Sequence, residues 1–400
     1  MSQKKSILKK SFSLPVQVLL VVLLTFFLAP SLPEGFQQFC LSLSLTLKEI
    51  LLFFLPALIF AFLFLSLSRM KQGVFLFVII LLGAVCLSNF TSTMVAYSSG
   101  QLIFHFLDFT FDFTAMSQEK LQPLWHPHLP RWIENEMALF LGFIAGVFSA
   151  YMPSQLKLKM QAGCQRFTTI FLNWFFIPLV PIFILGFIIK LRFDGVLFQI
   201  FFQYGPLLIC IGILQVTYTL FLYGVAALGR FKKWRLFLKN MFPAFVTAFS
   251  SMSSAAALPL TLRGTQKNTK DDPLVESIIP ATVNVHLIGD SLGVPLMAMG
   301  LLLTFNGTLP SFPLYMQFAF YFILIKFAIA AVPGGGIIVM IPILEKYLGF
   351  TPEMTGLITA MYILFDSMNT GMNVMGNGAF ALIFQKVWRF KNKRTPPHSS

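Results

Sequence analysis

Apolar residues run through this chain in long blocks separated by short polar stretches, and the blocks exceed what a soluble core uses. They lie at approximately 13–31, 42–68, 74–104, 136–152, 167–190, 196–228, 275–304 and 353–386, and each predicts a membrane-spanning helix. Two further blocks, about 241–265 and 312–347, are interrupted by Ser, Pro and Gly. Such interruptions survive at membrane depth only against protein or a water-filled cavity, so these two predict re-entrant segments.

The last block breaks its own pattern. Asp366, Asn369, Thr370, Asn373 and Asn377 fall at offsets 0, 3, 4, 7 and 11, a single stripe on a helix. A carboxylate at membrane depth costs about 2.5–3.5 kcal/mol on insertion scales, which demands a compensating surrounding. Two readings fit the stripe: the wall of a small-molecule and ion site, or a polar seam joining two helices.

Composition removes the soluble classes: 56% of the 400 residues are hydrophobic, 11% are charged, and the mean hydropathy is +0.78. The net charge of +14 is distributed by topology. Arg69 and Lys71, then Lys157, Lys159 and Arg166, then Arg230, Lys232, Lys233, Arg235 and Lys239, alternate with gaps poor in base. With both termini in the cytoplasm every cluster lies inside a cell membrane, facing anionic lipid, and no nucleic-acid partner is implied. The basic start and first block resemble a signal peptide but read as an uncleaved first helix. Cys40, Cys86, Cys164 and Cys210 have no metal or redox spacing, and His126 and His128 sit in an ordinary loop. Without a Walker loop or a soluble domain the chain is no ATP-driven pump. Nothing pairs Ser254 and His286 as nucleophile and base, so it reads as no enzyme and needs no cofactor.

The interrupted blocks carry further chemistry. Thr247–Pro259 holds a serine cluster able to satisfy freed backbone amides, and Val332-Pro333-Gly334-Gly335-Gly336 frees the backbone to bare its N–H and C=O groups. In the seventh span Asn284 and Gly289 allow the helix to loosen. His286 and Asp290, at i and i+4, are expected to share one face and one proton; the alternative for His286 is packing.

These motifs together resemble the dicarboxylate/amino acid:cation symporter family, the glutamate-transporter fold. Ser253-Ser254-Ala255 with Leu258-Pro259 is similar to the family's first hairpin tip, and Val332–Gly336 to the second. Asn284 stands where the unwound Asn-Met-Asp-Gly-Thr motif begins, and Asp366, Thr370, Asn373 and Gly376 follow the last-helix pattern Asp-x-x-Arg-Thr-x-x-Asn-x-x-Gly-Asp. Thr91-Ser92 resembles the third-helix Thr-Ser pair.

The resemblance implies an all-α protein of eight membrane helices plus two re-entrant hairpins, assembled as a homotrimer and working as an elevator. A scaffold, approximately 13–68 and 136–190, would hold a transport unit, approximately 74–104 and 196–386, followed by a basic cytoplasmic tail at 387–400. The implied substrate residues are Ser253, Ser254, Val332, Gly334, Gly336, Asp366, Asn369, Thr370 and Asn373. Among them Asp366 would take the ammonium, Asn373 and the Ser253–Ser254 tip the α-carboxylate, and Val332–Gly336 would form the outer gate. The implied cation residues are Thr91, Ser92, Asn284, His286, Asp290 and Asn377.

Departures from the pattern carry specific expectations. Asn369 replaces the arginine that grips a side-chain carboxylate, Ile288 replaces its threonine partner, and Met252 stands where some relatives place a compensating arginine. A neutral or polar amino acid is therefore expected over an acidic one, and installing Arg at 369 is expected to favour acidic substrates. His286 and Asn377 replace two ion-binding aspartates, which leaves the coupling ion as sodium or a proton. A ligand-gated channel or an uncoupled carrier of the same fold is the competing reading.

Overall fold

A computed structural model describes residues 20–21, 23–25, 27–68, 75–106, 121–130, 132–194, 197–329 and 335–394. Among them every regular element is helical. The α-helices are α1 (Glu34–Ser68), α2 (Phe75–Phe106), α3 (Asn135–Phe148), α4 (Ser154–Ile170), α5 (Ile177–Phe193), α6 (Leu197–Ala226), α7 (Phe231–Ser251), α8 (Ser254–Thr269), α9 (Leu274–Thr282), α10 (Ile288–Asn306), α11 (Phe312–Ile325), α12 (Gly335–Leu348) and α13 (Pro352–Arg394). Within the described residues, Ile79–Phe106, Tyr204–Ala226 and Ile288–Asn306 are each long and apolar enough to cross a membrane. The last helix runs on through 387–394, into the segment expected as a basic tail.

Helix α1 packs on α3 and α5. The α1–α5 contact is made close by Gly186, whose N–H donates to Ser44 Oγ at 3.1 Å. A Cβ there would lie 2.4 Å from the Cys40 carbonyl oxygen, a backbone atom that moves only with its helix. Gly186→Ala is therefore expected to cost about 1–3 kcal/mol, read as a lower Tm in detergent. At the end of α5 the buried Lys190 donates to Asp194 Oδ2 at 3.1 Å and to the Leu121 carbonyl. It also stands 3.8 Å from Glu353 in the first turn of α13.

The other helices gather around α10 and α13. Helix α10 is apolar nearly all round and buried nearly all round, as a central helix must be. Residues 283–287 leave the helical path between α9 and α10, where the sequence predicts loosening. The loosened backbone is held by Asn89 of α2: its Nδ2 donates to the Val285 carbonyl at 2.8 Å, and its Oδ1 accepts from the Leu287 N–H at 3.1 Å. Buried backbone groups that leave a helix need such partners.

The first interrupted block folds as a helix–turn–helix pair, and the second contributes two helices, α11 and α12. Helix α7 ends at Met252, which takes a left-handed conformation (φ 50°), and Ser253 caps α8 by accepting from the Ala256 N–H. Helix α11 runs into a short 3₁₀ turn, Lys326–Ala328, and the chain resumes as α12. Residues 330–334 between them, with Val332 and Gly334, lie outside the described residues.

Asp272, in the link between α8 and α9, ties the first pair to the end of α13. It accepts from Arg389 Nε, Gln385 Nε2 and the Leu274 N–H. The Arg389 hydrogen bond chiefly holds its carboxyl down to about 2. A depressed carboxyl stabilises the fold fully above the ordinary carboxylate range, and that contribution is lost as pH falls from roughly 4 to about 2. Asp272→Asn should accordingly lower Tm by a few degrees near neutral pH, with the difference closing in acid.

Candidate functional site

The two helix pairs, the loosened segment and α13 converge on a cavity of about 30 Å³. Its α13 wall is Asp366, Thr370 and Asn373, one face of the predicted stripe, with Tyr362 one turn earlier. Asp290 and Asn284 face it from α10 and the loosened segment, Met252 and Ser254 from the first pair, and Ile329 and Gly336 from the second. The backbone at Gly336 comes so near α13 that a Cβ would lie 2.3 Å from the Tyr362 hydroxyl oxygen.

Two carboxylates dominate the electrostatics. Asp290 is held on both oxygens: Tyr362 donates to Oδ1 at 2.8 Å and Asn373 Nδ2 to Oδ2 at 2.7 Å. Asn373 Oδ1 in turn accepts from the Gly289 N–H at 2.7 Å. Both ends of the Asn373 amide are thus engaged by α10, while the residue also lines the cavity. Asp366 accepts from Thr370 Oγ1 at 3.1 Å and keeps one edge on the cavity. The Asn284 Oδ1 is buried without a hydrogen-bond partner, an acceptor available to a bound ammonium or cation. Among the described residues no Lys, Arg or His lines the cavity.

The remaining stripe residues serve as the seam. Asn369 is fully buried but turned to α6, where its Oδ1 accepts from Gln215 Nε2 at 2.7 Å; Gln215 also donates to the Gly289 carbonyl. Asn369 therefore lines no part of the cavity. The expectation for Arg at 369 changes with it: the longer side chain would meet the α6–α10 contact and disturb folding before it reached a substrate. Asn377 faces α9 and accepts from Thr282 Oγ1 at 2.6 Å. One side of the stripe thus lines the cavity and its flanks join neighbouring helices.

The cation candidates are not gathered. Asn284 and Asp290 face the cavity, whereas Thr91 is exposed and bonds to its own helix at Leu87. Ser92 is buried, but it bonds back to Ser88 and Asn89. His286 lies in the loosened segment rather than on a helix, so it shares no face with Asp290. Its Nε2 is 2.9 Å from Ser88 Oγ, and its ring lies 4.3 Å from that of Phe380. Ser253 caps α8 and does not line the cavity.

Sequence reasoning passed over Asn89, Gln215, Tyr362 and Lys326. Lys326 is fully buried; its Nζ donates to Ser291 Oγ, one residue after Asp290, and lies 4.3 Å over the Phe322 ring. A lone lysine in an apolar block carried a signal of its own, because intramembrane charges are rare outside functional sites.

Comparison with known proteins adds a family. Residues 14–387 match the model of the sodium:dicarboxylate symporter family. An excitatory amino acid transporter of Caenorhabditis elegans is 27% identical over 143 residues, 36% of this chain and 28% of that protein. Excitatory amino acid transporter 2 of Mus musculus is 28% identical over 142 residues, 35% of this chain and 24% of that protein. Excitatory amino acid transporter 1 of Ambystoma tigrinum is 26% identical over 164 residues, 41% of this chain and 30% of that protein. The matched stretch thus spans less than a third of each relative's length.

Proposed function

The chain belongs to the sodium:dicarboxylate symporter family, and we propose that it is a secondary active symporter for a small neutral or polar amino acid. The observation that carries this reading is the cavity between both helix pairs, lined by Asp366 and Asp290 and by no described basic side chain. Asp366 receives the substrate ammonium, with the unpartnered Asn284 oxygen beside it. The substrate carboxylate goes to the start of α8 at Ser254, where free N–H groups and the helix dipole favour an anion. A second carboxylate on the substrate would face Asp290 and Asp366 uncompensated, which disfavours an acidic amino acid.

In this reading the chain spans the cell membrane with eight helices and two re-entrant hairpins, both termini in the cytoplasm. Three copies assemble, and in each the transport unit slides as an elevator against its scaffold, driven by a sodium or proton gradient. The second reading is a dicarboxylate substrate, favoured by the family's description. The test is uptake into liposomes from a panel of amino acids and dicarboxylates, with sodium and proton gradients imposed separately. Concentrative uptake of a neutral amino acid is the expected result; acidic competitors outranking every neutral one would sink the substrate assignment. Ligand-gated current without accumulation would make the protein a channel.

A further inference from the structure

We propose that the ammonium of Lys326 is a tethered cation, held against Ser291 one residue along the chain from Asp290, where an exchangeable sodium ion would otherwise neutralise Asp290. The inference rests on the symport reading for its consequence, one fewer coupling ion, although its first readout needs no substrate. Lys326 sits at the end of the first arm of the second helix pair, in the 3₁₀ turn Lys326–Ala328, and none of it reaches the surface. Its hydrogen-bond partner is Ser291 Oγ, which passes its own proton to the Leu287 carbonyl at 2.7 Å. The ring of Phe322 covers the ammonium at 4.3 Å. Asp290, adjacent to Ser291 in the chain, is within electrostatic reach, as is Cys86.

Charge balance decides between a lysine that merely packs and one that substitutes for an ion. An unpaired ammonium in a dry interior is very costly, so a buried lysine persists where a carboxylate compensates it. Asp290 and Asp366 are the carboxylates beside the cavity, and Asp290 is the one that precedes Ser291, the hydrogen-bond partner of Lys326. A sodium ion added next to Asp290 would bring a further positive charge beside Lys326, a like-charge contact in low dielectric. The locus offers sodium poor ligands as well: both Asp290 oxygens already accept hydrogen bonds, and Ser291 Oγ is occupied on both sides.

The test is thermal unfolding of the purified protein in matched sodium and potassium chloride, for the wild type, Lys326→Ser and Lys326→Arg. Removing the ammonium while leaving an oxygen should create a sodium site. Lys326→Ser is expected to gain Tm in sodium over potassium by roughly 2–4 °C more than the wild type does. Lys326→Arg, which keeps the charge, should show no added gain. Equal sodium gains in wild type and Lys326→Ser would overturn the proposal. If Lys326→Ser does not fold, the neutralised pair Asp290→Asn/Lys326→Met decides. Its recovery of folding relative to Lys326→Met alone supports the assignment, and failure of the double variant to recover overturns it. A blank result from the solute panel would refute the symport reading and leave this comparison unaffected.

Discussion

Asp366→Asn is expected to abolish recognition of an amino-acid substrate while the protein still folds and assembles. The substitution keeps the size of the side chain and its bond from Thr370, and removes the charge that offsets a buried ammonium. Breaking a buried pair costs about 3–5 kcal/mol, and each 1.4 kcal/mol is about tenfold in affinity. The loss should exceed a hundredfold, measured by ligand-induced thermal stabilisation of the purified variant. Retained affinity would mean that the ammonium binds elsewhere or that the substrate has none.

Asn373→Leu should produce the other large effect, and it should appear in stability first. The amide joins α13 to α10 through three bonds, one to Asp290 Oδ2, one from the Gly289 N–H and a longer one from the Asp290 N–H. Leucine matches its size but leaves a buried N–H unpaired and takes one donor from a buried carboxylate. Each such loss costs about 1–3 kcal/mol, more where a charge is involved, so a total of roughly 2–5 kcal/mol is expected. Denaturation midpoints of wild type and variant, compared without substrate, test this directly. A change confined to substrate affinity would return Asn373 to the role of a substrate ligand.

The sequence made some features legible because one residue type has one physical consequence. Long apolar blocks have few uses outside a membrane, and the described helices that meet that length criterion coincide with predicted spans, two of them running two residues past the expected end. The loosened segment was legible for a similar reason, since Asn284 and Gly289 weaken a helix wherever it packs. Orientation around a helix was harder to read. Asp366, Thr370 and Asn373 reach the cavity, whereas Asn369 and Asn377 sit on the flanks of the same stripe and meet α6 and α9. Periodicity identifies a polar face without saying how many neighbours share it. The third-helix residues show the same sensitivity. Asn89 and Thr91 are two positions apart, about 200° around the helix, so a small slip in alignment selects the outer side. Lys326 escaped notice because one lysine scarcely alters the mean hydropathy of an apolar block.

The contact between Lys190 and Glu353 bears on how fast such a machine can run. If α13 travels with a moving unit and α5 stays behind, this pair must part in every cycle. At 3.8 Å, with Glu353 partly in solvent, its loss adds little to the barrier. Lys190 also keeps its bonds to Asp194 and the Leu121 carbonyl after Glu353 departs, because neither partner lies on α13. The ammonium is never stranded, so the contact works as a light detent: it marks a resting position without becoming a brake.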